Sequence, residues 1–262
     1  MEGYRFERVE LRRPNLRFPF PENFAARLEG ETITRFGRRA KFLHVTLSSG
    51  EQLMMHLGMS GRFTIDGASQ GQFVSDTGGI SKHDHVVFHM SSGHRVTYND
   101  PRRFGFMELV AKNETPPRLA HLGPEPLSNE CNAPNLREKL RGKKSKIKAA
   151  LLDQSIIAGL GNIYVCEALF RARISPKRAS GRLTVTETET LVAHIKDVIA
   201  EAIEAGGSSL RDFAQADGDL GYFQHSFDVY GREGEPCPVC AAPLLRINQS
   251  GRSSFYCKAC QT

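Results

Sequence analysis

No stretch of the sequence is apolar enough to cross a membrane. A bilayer-spanning helix needs about 20 consecutive, predominantly apolar residues, and no apolar run in the 262-residue chain approaches that length. The first residues, MEGYRFERVELRRP, also lack the apolar segment of a secretory signal. We therefore expect a cytoplasmic protein that does not bind a membrane.

Cysteine is scarce and unevenly distributed. Of the six cysteines, Cys131 and Cys166 are isolated, whereas the other four form two CxxC pairs separated by 16 residues. In a reducing compartment, thiols with this spacing bind a metal rather than oxidise to disulfides. The spacing is that of a tetrahedral four-thiolate zinc site, and so short a segment needs the metal to hold it folded. The sequence therefore predicts one structural zinc ion, with the ligands Cys237, Cys240, Cys257 and Cys260.

Positive charge is concentrated in two segments. The net charge is +6 and the pI is about 9.1. Residues 137–148 contain seven basic residues and one acidic residue, and residues 1–41 contain ten Arg or Lys against six Glu. A charge run is usually a solvated helix face. Several neighbouring motifs typical of DNA-binding proteins favour contact with phosphates instead.

The hydrophobic pattern changes near residue 120. Residues 33–110 contain short segments of alternating polarity, such as 42–47 and 85–90, which predict β-hairpins of a sandwich or barrel. The segment HLGPEPLS breaks the pattern. Helical patterns follow over 144–154 and 162–172, and a long helix is predicted from a capping box at Thr184 and Glu187. The Gly/Ser-rich segment 67–82 is predicted to be a mobile loop.

Two glycine-flanked turns carry candidate wedge residues. In NDPRRFGF (99–106), Phe104 near Arg102 could be ordinary core packing beside a solvated arginine, or a wedge that enters a base stack. In HLGMSG (56–61), Met59 taken alone is more often a core filler than a wedge. A third motif, GLGNIYVCEALF, places Gly159, Gly161 and Asn162 at the start of a helix, where backbone N–H groups attract phosphate. With KKSKIK upstream, it resembles a helix-turn-helix laid along a DNA backbone.

Together the motifs resemble one family, the bacterial formamidopyrimidine-DNA glycosylases, within the group that includes endonuclease VIII. The resemblance extends from about Gly3 to the C-terminus. It rests on RRAKFL, HLGMSG, KHDHV, DPRRFG, HLGPEPL, KIKAALLDQ, GLGNIYVCEALF, DGDLGYFQ, VYGREGEPC and GRSSFYCKAC, in that order.

The resemblance implies an α+β fold. It would comprise an N-terminal antiparallel β-sandwich (1–120), a helical domain with a helix-two-turns-helix (121–227) and a C-terminal four-cysteine zinc ribbon (228–262). It also implies a monomeric, nucleoid-associated enzyme of bacterial type. Such an enzyme excises 8-oxoguanine and ring-opened purines from double-stranded damaged DNA, then cuts the strand by β,δ-elimination.

Residue roles follow from the same resemblance. Lys41 matches the lysine associated with proton transfer in β-elimination, and Arg252 matches the ribbon arginine that binds the lesion phosphates and is assigned to δ-elimination. The residues that fill the gap left by the flipped base match Met59, Arg102 and Phe104. The residues that contact DNA match His83, Arg102, Lys143, Lys148 and Asn162. The segment DGDLGYF matches the loop that closes over the flipped base.

The N-terminus departs from the family pattern. Family enzymes begin Met-Pro-Glu-Leu-Pro-Glu, and the proline amine is the nucleophile that forms a Schiff base with the sugar. This sequence begins Met-Glu-Gly-Tyr, and Gly3 aligns after the family's first helix. The start codon could be assigned too late, which the retained Lys41 and Arg252 favour. Alternatively, the chain binds damaged DNA without cutting it, or is a zinc-ribbon nucleic-acid-binding module.

Overall fold

The computed structural model describes residues 1–66, 81–207 and 222–262. The chain divides into two compact units. The first takes in the described part of Met1–Ala120 together with Tyr222, and the second takes in His121–Gly207 and Phe223–Thr262. The mobile loop predicted over 67–82 and the closing loop predicted over 217–223 lie almost entirely outside the described residues.

The described part of the first unit is built from antiparallel strands and one short helix. The elements are β1 (Phe6–Leu11), α1 (Phe24–Leu28), β2 (Ile33–Arg39), β3 (Phe42–Leu47), β4 (Gln52–His56), β5 (Arg62–Ile65), β6 (Asp84–Met90), β7 (Arg95–Asn99) and β8 (Phe106–Val110). The strands form two four-stranded sheets, with the orders β1-β6-β7-β5 and β2-β3-β4-β8. The predicted hairpins are present, but β1 precedes the region in which the sequence predicted strands.

Apolar residues from both sheets share one core. Val86 and Phe88 of β6 are buried in the same cluster as Val45 of β3 and Leu53 of β4. This is the arrangement of a β-sandwich. Residues 57–61, here called the Met59 turn, join β4 to β5. Residues 100–105, here called the Arg102 turn, join β7 to β8.

The second unit begins with a cluster of helices. They are α2 (Ala133–Leu140), α3 (Ile147–Leu152), α4 (Asn162–Arg171) and α5 (Val185–Glu204). The predicted capping box is confirmed: the Thr184 hydroxyl accepts from the Glu187 N–H, and the Glu187 carboxylate accepts from the Thr184 N–H. Gly206 follows in the left-handed region with φ +71°, as expected for a residue just after a helix. Helix α2, which the sequence did not predict, is capped by Asn132.

The four-cysteine segment packs on these helices. Strands β9 (Leu245–Gln249) and β10 (Arg252–Tyr256) form an antiparallel hairpin. Phe255 and Leu244 of this segment share a buried cluster with Cys166 and Phe170 of α4. The ribbon therefore belongs to the same compact unit as the helices, and its separate limits at 228–262 stay a prediction. Among the helices of the described residues, none has the length and apolar character needed to span a bilayer.

Candidate nucleic-acid interface and metal centre

A buried carboxylate joins the Met59 turn to the Arg102 turn. The Asp100 side chain is 0% exposed. One of its oxygens accepts a hydrogen bond from the Ser60 hydroxyl at 2.6 Å, and the other accepts from the Tyr98 hydroxyl at 3.2 Å and the Gly105 N–H at 2.9 Å. Ser60 in turn accepts from the Arg102 N–H at 3.2 Å. The two turns therefore share one hydrogen-bonded network, which fixes their relative position.

The close approach of the two turns depends on glycine. Gly58 has φ +70°, and a Cβ placed there would lie 2.6 Å from the backbone nitrogen of Gly105. A Cβ on Gly105 would lie 1.8 Å from the Tyr98 hydroxyl oxygen. A larger residue at Gly58 would push the turns apart, and one at Gly105 would displace the Tyr98 hydroxyl from Asp100, since both distances are far below van der Waals contact.

The same packing directs three side chains outward. Met59 is 67% exposed and Phe104 is 43% exposed, although both are large and apolar. The Arg102 guanidinium carbon lies 4.8 Å from the centre of the Phe104 ring, a cation–π contact. The structure thus brings together the three residues predicted to fill the gap. Neither Met59 nor Phe104 fills the core, which was the alternative interpretation of their motifs.

Two further predicted residues lie in the first unit. Lys41 is exposed and directly follows Ala40, which has φ +52° in the tight turn between β2 and β3. His83 is half-buried just before β6, and its carbonyl accepts from the Asp100 N–H at 3.0 Å. The backbone at His83 is thereby tied to the Arg102 turn.

In the second unit, two predicted DNA contacts converge on one carbonyl. The Lys148 ammonium donates to the Ser253 carbonyl at 2.8 Å, and the Asn162 amide donates to the same oxygen at 2.9 Å. Lys148 is 0% exposed, and burial lowers the pKa of its ammonium group. Because Ser253 directly follows Arg252, both side chains anchor the strand that presents this arginine. The DNA contacts predicted for Lys148 and Asn162 stay predictions.

Arg252 begins β10 directly after a tight hairpin turn. Ser250 and Gly251 both have positive φ, 51° and 73°, as a two-residue type I′ turn requires. Arg252 is exposed. Lys143, in the basic segment between α2 and α3, is also exposed. Both cations can therefore reach a polyanion.

Glu167 of α4 is a positioning residue that the sequence analysis missed. Its carboxylate is 0% exposed and accepts from three consecutive backbone N–H groups, those of Asp228, Val229 and Tyr230, at 2.8 to 3.1 Å. Burial raises the pKa of the Glu167 carboxyl, while the three N–H groups oppose that effect. The contact ties α4 to the segment that enters the ribbon. The sequence feature that could have indicated this role is the single acidic residue within the apolar run NIYVCEALF.

The four predicted metal ligands form one cluster. The Sγ atoms of Cys237, Cys240, Cys257 and Cys260 all lie within 4.8 Å of one another. The Cys237–Cys260 and Cys240–Cys257 sulfur distances are 3.9 and 3.5 Å. A tetrahedral shell with Zn–S bonds of about 2.3 Å has sulfurs about 3.8 Å apart. The thiols thus have the spacing of a closed tetrahedral metal site.

Family models match most of the chain. Residues 1–107 match the formamidopyrimidine-DNA glycosylase N-terminal domain, residues 122–214 match the formamidopyrimidine-DNA glycosylase H2TH domain, and residues 234–262 match a zinc finger found in FPG and IleRS. Two relatives named formamidopyrimidine-DNA glycosylase, from Ruegeria pomeroyi and Rhodopseudomonas palustris, are 57% and 54% identical. Each alignment covers 100% of this chain and 94% of the relative.

Solved structures give the same result. The MutM (Fpg) protein of Thermus thermophilus is 38% identical, with a TM-score of 0.86 over 100% of this chain and 92% of that one. Lactococcus lactis Fpg in complex with DNA containing an abasic site is 32% identical, with a TM-score of 0.87 over 100% of this chain and 93% of that one. The chain therefore belongs to the formamidopyrimidine-DNA glycosylase family of base-excision repair.

Proposed function

We propose that this chain removes oxidised purines from double-stranded DNA and then cuts the strand as an abasic-site lyase. The observation that carries the proposal is the exposed group of Met59, Arg102 and Phe104 on two interlocked turns. A base in a duplex must leave the stack before an enzyme can act on it, and this leaves a gap. Apolar side chains can wedge into such a gap, and a guanidinium can donate to the orphaned partner base.

The substrate class is supported by relatives. Structures similar to this one include Fpg from Lactococcus lactis with Fapy-dG DNA, and MutM with DNA containing carbocyclic 8-oxo-G. We infer that 8-oxoguanine and formamidopyrimidines are the substrates here. The exposed cations Lys143 and Arg252, together with a net charge of +6, suit the phosphates of the duplex. We further propose that the chain acts as a monomer in the cytoplasm.

The proposed strand cleavage follows imine chemistry. An amine attacks C1′ of the damaged nucleotide, and the base leaves with its bonding electrons and the proton that the amine loses. The C1′–O4′ bond then breaks, O4′ takes a proton from water, and C1′ and the nitrogen form a positively charged imine. The imine acidifies the C2′–H, so loss of that proton expels the 3′ phosphate. A second elimination expels the 5′ phosphate. We assign proton transfer in the first elimination to Lys41, and in the second to Arg252. By the family resemblance, the attacking amine is that of an N-terminal proline.

We propose zinc as the ion of the four-cysteine cluster, with a structural role. Four thiolates leave no open coordination position, so the ion supplies folding free energy to the ribbon and no chemistry. With the ion bound, the four cysteines would hold the β9–β10 hairpin in place and, with it, Arg252. Metal analysis of freshly purified protein should give about one zinc per chain. Well under one zinc, with all four thiols reactive towards a maleimide, would contradict this assignment.

The test of the lyase proposal uses two polypeptides. One begins at Met1, and the other extends upstream so that it begins Met-Pro-Glu. Borohydride reduction on an 8-oxoguanine duplex should trap a covalent complex efficiently with the extended polypeptide, whereas the other should trap little. The extended polypeptide should leave the doubly eliminated, phosphate-ended product. Within it, Lys41→Ala should slow strand cleavage at a ready-made abasic site, whereas borohydride trapping should persist because the attacking amine remains. Failure of the extended polypeptide to cleave any oxidised-purine duplex would overturn the proposed function and leave a DNA-binding role.

A further inference from the structure

His56 lies in the sandwich directly beside the Met59 turn. It is the last residue of β4, and in the sheet register it pairs with Phe42 of β3 and Phe106 of β8. Its imidazole stacks on the Phe106 ring, with centroids 5.5 Å apart and planes 5° from parallel, and it meets the Phe42 ring edge-on at 5.1 Å. Two neighbouring strands therefore hold the ring in one orientation.

One nitrogen of this fixed ring holds the backbone of the Met59 turn. His56 Nδ1 accepts a hydrogen bond from the Gly58 N–H at 2.9 Å. An imidazole nitrogen can accept only when it carries no proton, so the neutral ring must carry its proton on Nε2. Gly58 is also the residue that presses against Gly105 of the Arg102 turn. The bond therefore acts at the point where the two turns meet, one residue before Met59.

We propose that His56 is a positioning residue for Met59, and that protonation of its imidazole breaks the Gly58 N–H···Nδ1 bond and reduces the preference of the protein for damaged DNA. In the imidazolium both nitrogens are donors, so Nδ1 and the Gly58 N–H would face each other as two donors. The inference rests on the proposed function, because it takes Met59 as the wedge.

The surroundings of His56 favour the neutral ring at neutral pH. Burial is the main cause that lowers the pKa of His56 below its ordinary value, followed by the positive charges of Lys41, Arg17 and Arg118. Arg118 also stacks over Phe106 and is paired with Glu108, so that part of its charge is balanced. With the pKa lowered, the bond is intact at pH 7 and is lost as the pH falls through the pKa of the folded protein.

The test compares one replacement that keeps a hydrogen-bond acceptor without titrating and another that keeps an aromatic ring without an acceptor. In His56→Asn, the amide oxygen takes the place of Nδ1, can accept from the N–H two residues later as in an Asx turn, and does not titrate. In His56→Phe, the ring still stacks but cannot accept. His89→Asn is the matched control, because His89 lies in the other sheet with its ring bonded to Glu10.

Equilibrium binding is measured for a duplex with a tetrahydrofuran abasic site and for the undamaged duplex, from pH 5.0 to 8.0 at constant ionic strength. The affinity ratio is the affinity for the abasic-site duplex divided by the affinity for the undamaged duplex. We expect this ratio to fall on acidification for the wild-type protein and for His89→Asn, and to stay constant for His56→Asn. At every pH, the affinity ratio of His56→Phe should be about tenfold lower than the wild-type ratio at pH 8.0, which corresponds to about 1.4 kcal/mol. Circular dichroism checks that each variant is folded.

Three results would overturn the inference while leaving the proposed function intact. The first is an affinity ratio of the wild-type protein that does not change with pH. The second is an affinity ratio of His56→Phe equal to that of the wild-type protein. The third is a fall in the ratio of His56→Asn on acidification as large as that of the wild-type protein. A merely structural histidine would lower binding to both duplexes alike and leave their ratio unchanged. Absence of any preference for the abasic duplex in the wild-type protein would contradict the proposed function, and the inference with it.

Discussion

Replacing Asp100 should destabilise the first unit and disorganise both turns. In Asp100→Ala, the hydroxyls of Ser60 and Tyr98 and the N–H of Gly105 lose their buried acceptor. An orphaned buried donor costs about 1–3 kcal/mol, and partial relaxation reduces the sum, so we expect a loss of about 3–5 kcal/mol. Asp100→Asn should cost about 2 kcal/mol, because the amide offers one acceptor oxygen where the carboxylate offers two.

Urea denaturation at pH 7 measures the free energy of unfolding, and its slope shows whether the transition stays cooperative. The matched control is Asp66→Asn, which removes an exposed carboxylate 2.6 Å from Arg95. An ion pair of this kind contributes about 0–1 kcal/mol. Equal stability of Asp100→Ala and Asp66→Asn would refute the role assigned to Asp100. Retention of full lesion preference by a folded Asp100→Asn would show that the network does not position the wedge residues.

Three other predictions concern separate parts of the molecule. Glu167→Gln should lower the free energy of unfolding by about 2 kcal/mol, because the amide cannot accept from all three N–H groups, and differential scanning calorimetry would contradict this by giving an unchanged transition. The pKa of His85 is lowered mainly by burial, so the folded protein binds fewer protons there than the unfolded chain. The contribution of the neutral His85 to stability is complete above the pKa of the unfolded chain, about 6.5. It is lost as the pH falls through the lower pKa that His85 has in the folded protein. Melting temperatures from pH 5 to 8 should therefore fall on the acid side, and a higher value at pH 5 than at pH 7 would disagree. Lys143→Ala should weaken binding to all duplexes and reduce the slope of log K against log salt by about one, whereas Arg102→Ala should mainly reduce lesion preference. Identical salt slopes for Lys143→Ala and the wild type would exclude Lys143 as a phosphate contact.

Short sequence patterns correctly predicted the four-cysteine cluster, the β-hairpins and the start of α5. The CxxC spacing identified four thiols that the structure places in one cluster, because chain proximity alone brings each pair together. Alternating polarity predicted the hairpins, and the Thr184 and Glu187 side chains predicted the start of α5. Each of these signals lies within a few residues of the feature that it predicts.

Features that depend on tertiary packing were not predictable in this way. Lys148 lies in a basic run that resembles a solvated face, yet it is buried against a carbonyl 105 residues away. Asp100 appeared only as part of a turn motif, because its partner Ser60 is 40 residues away in sequence. Glu167 binds N–H groups more than 60 residues further along the chain. Periodicity and spacing carry no information about such distant partners.

The most direct test of the central claim is release of the free base. The full product of this reading frame, including any codons upstream of Met1, is incubated with a duplex that carries a single 8-oxoguanine opposite cytosine, and the supernatant is analysed by mass spectrometry. We expect free 8-oxoguanine from this duplex, no guanine from the matched undamaged duplex, and reduced release by Met59→Ala and Arg102→Ala. Tight binding of the damaged duplex with no released base over many hours would contradict it.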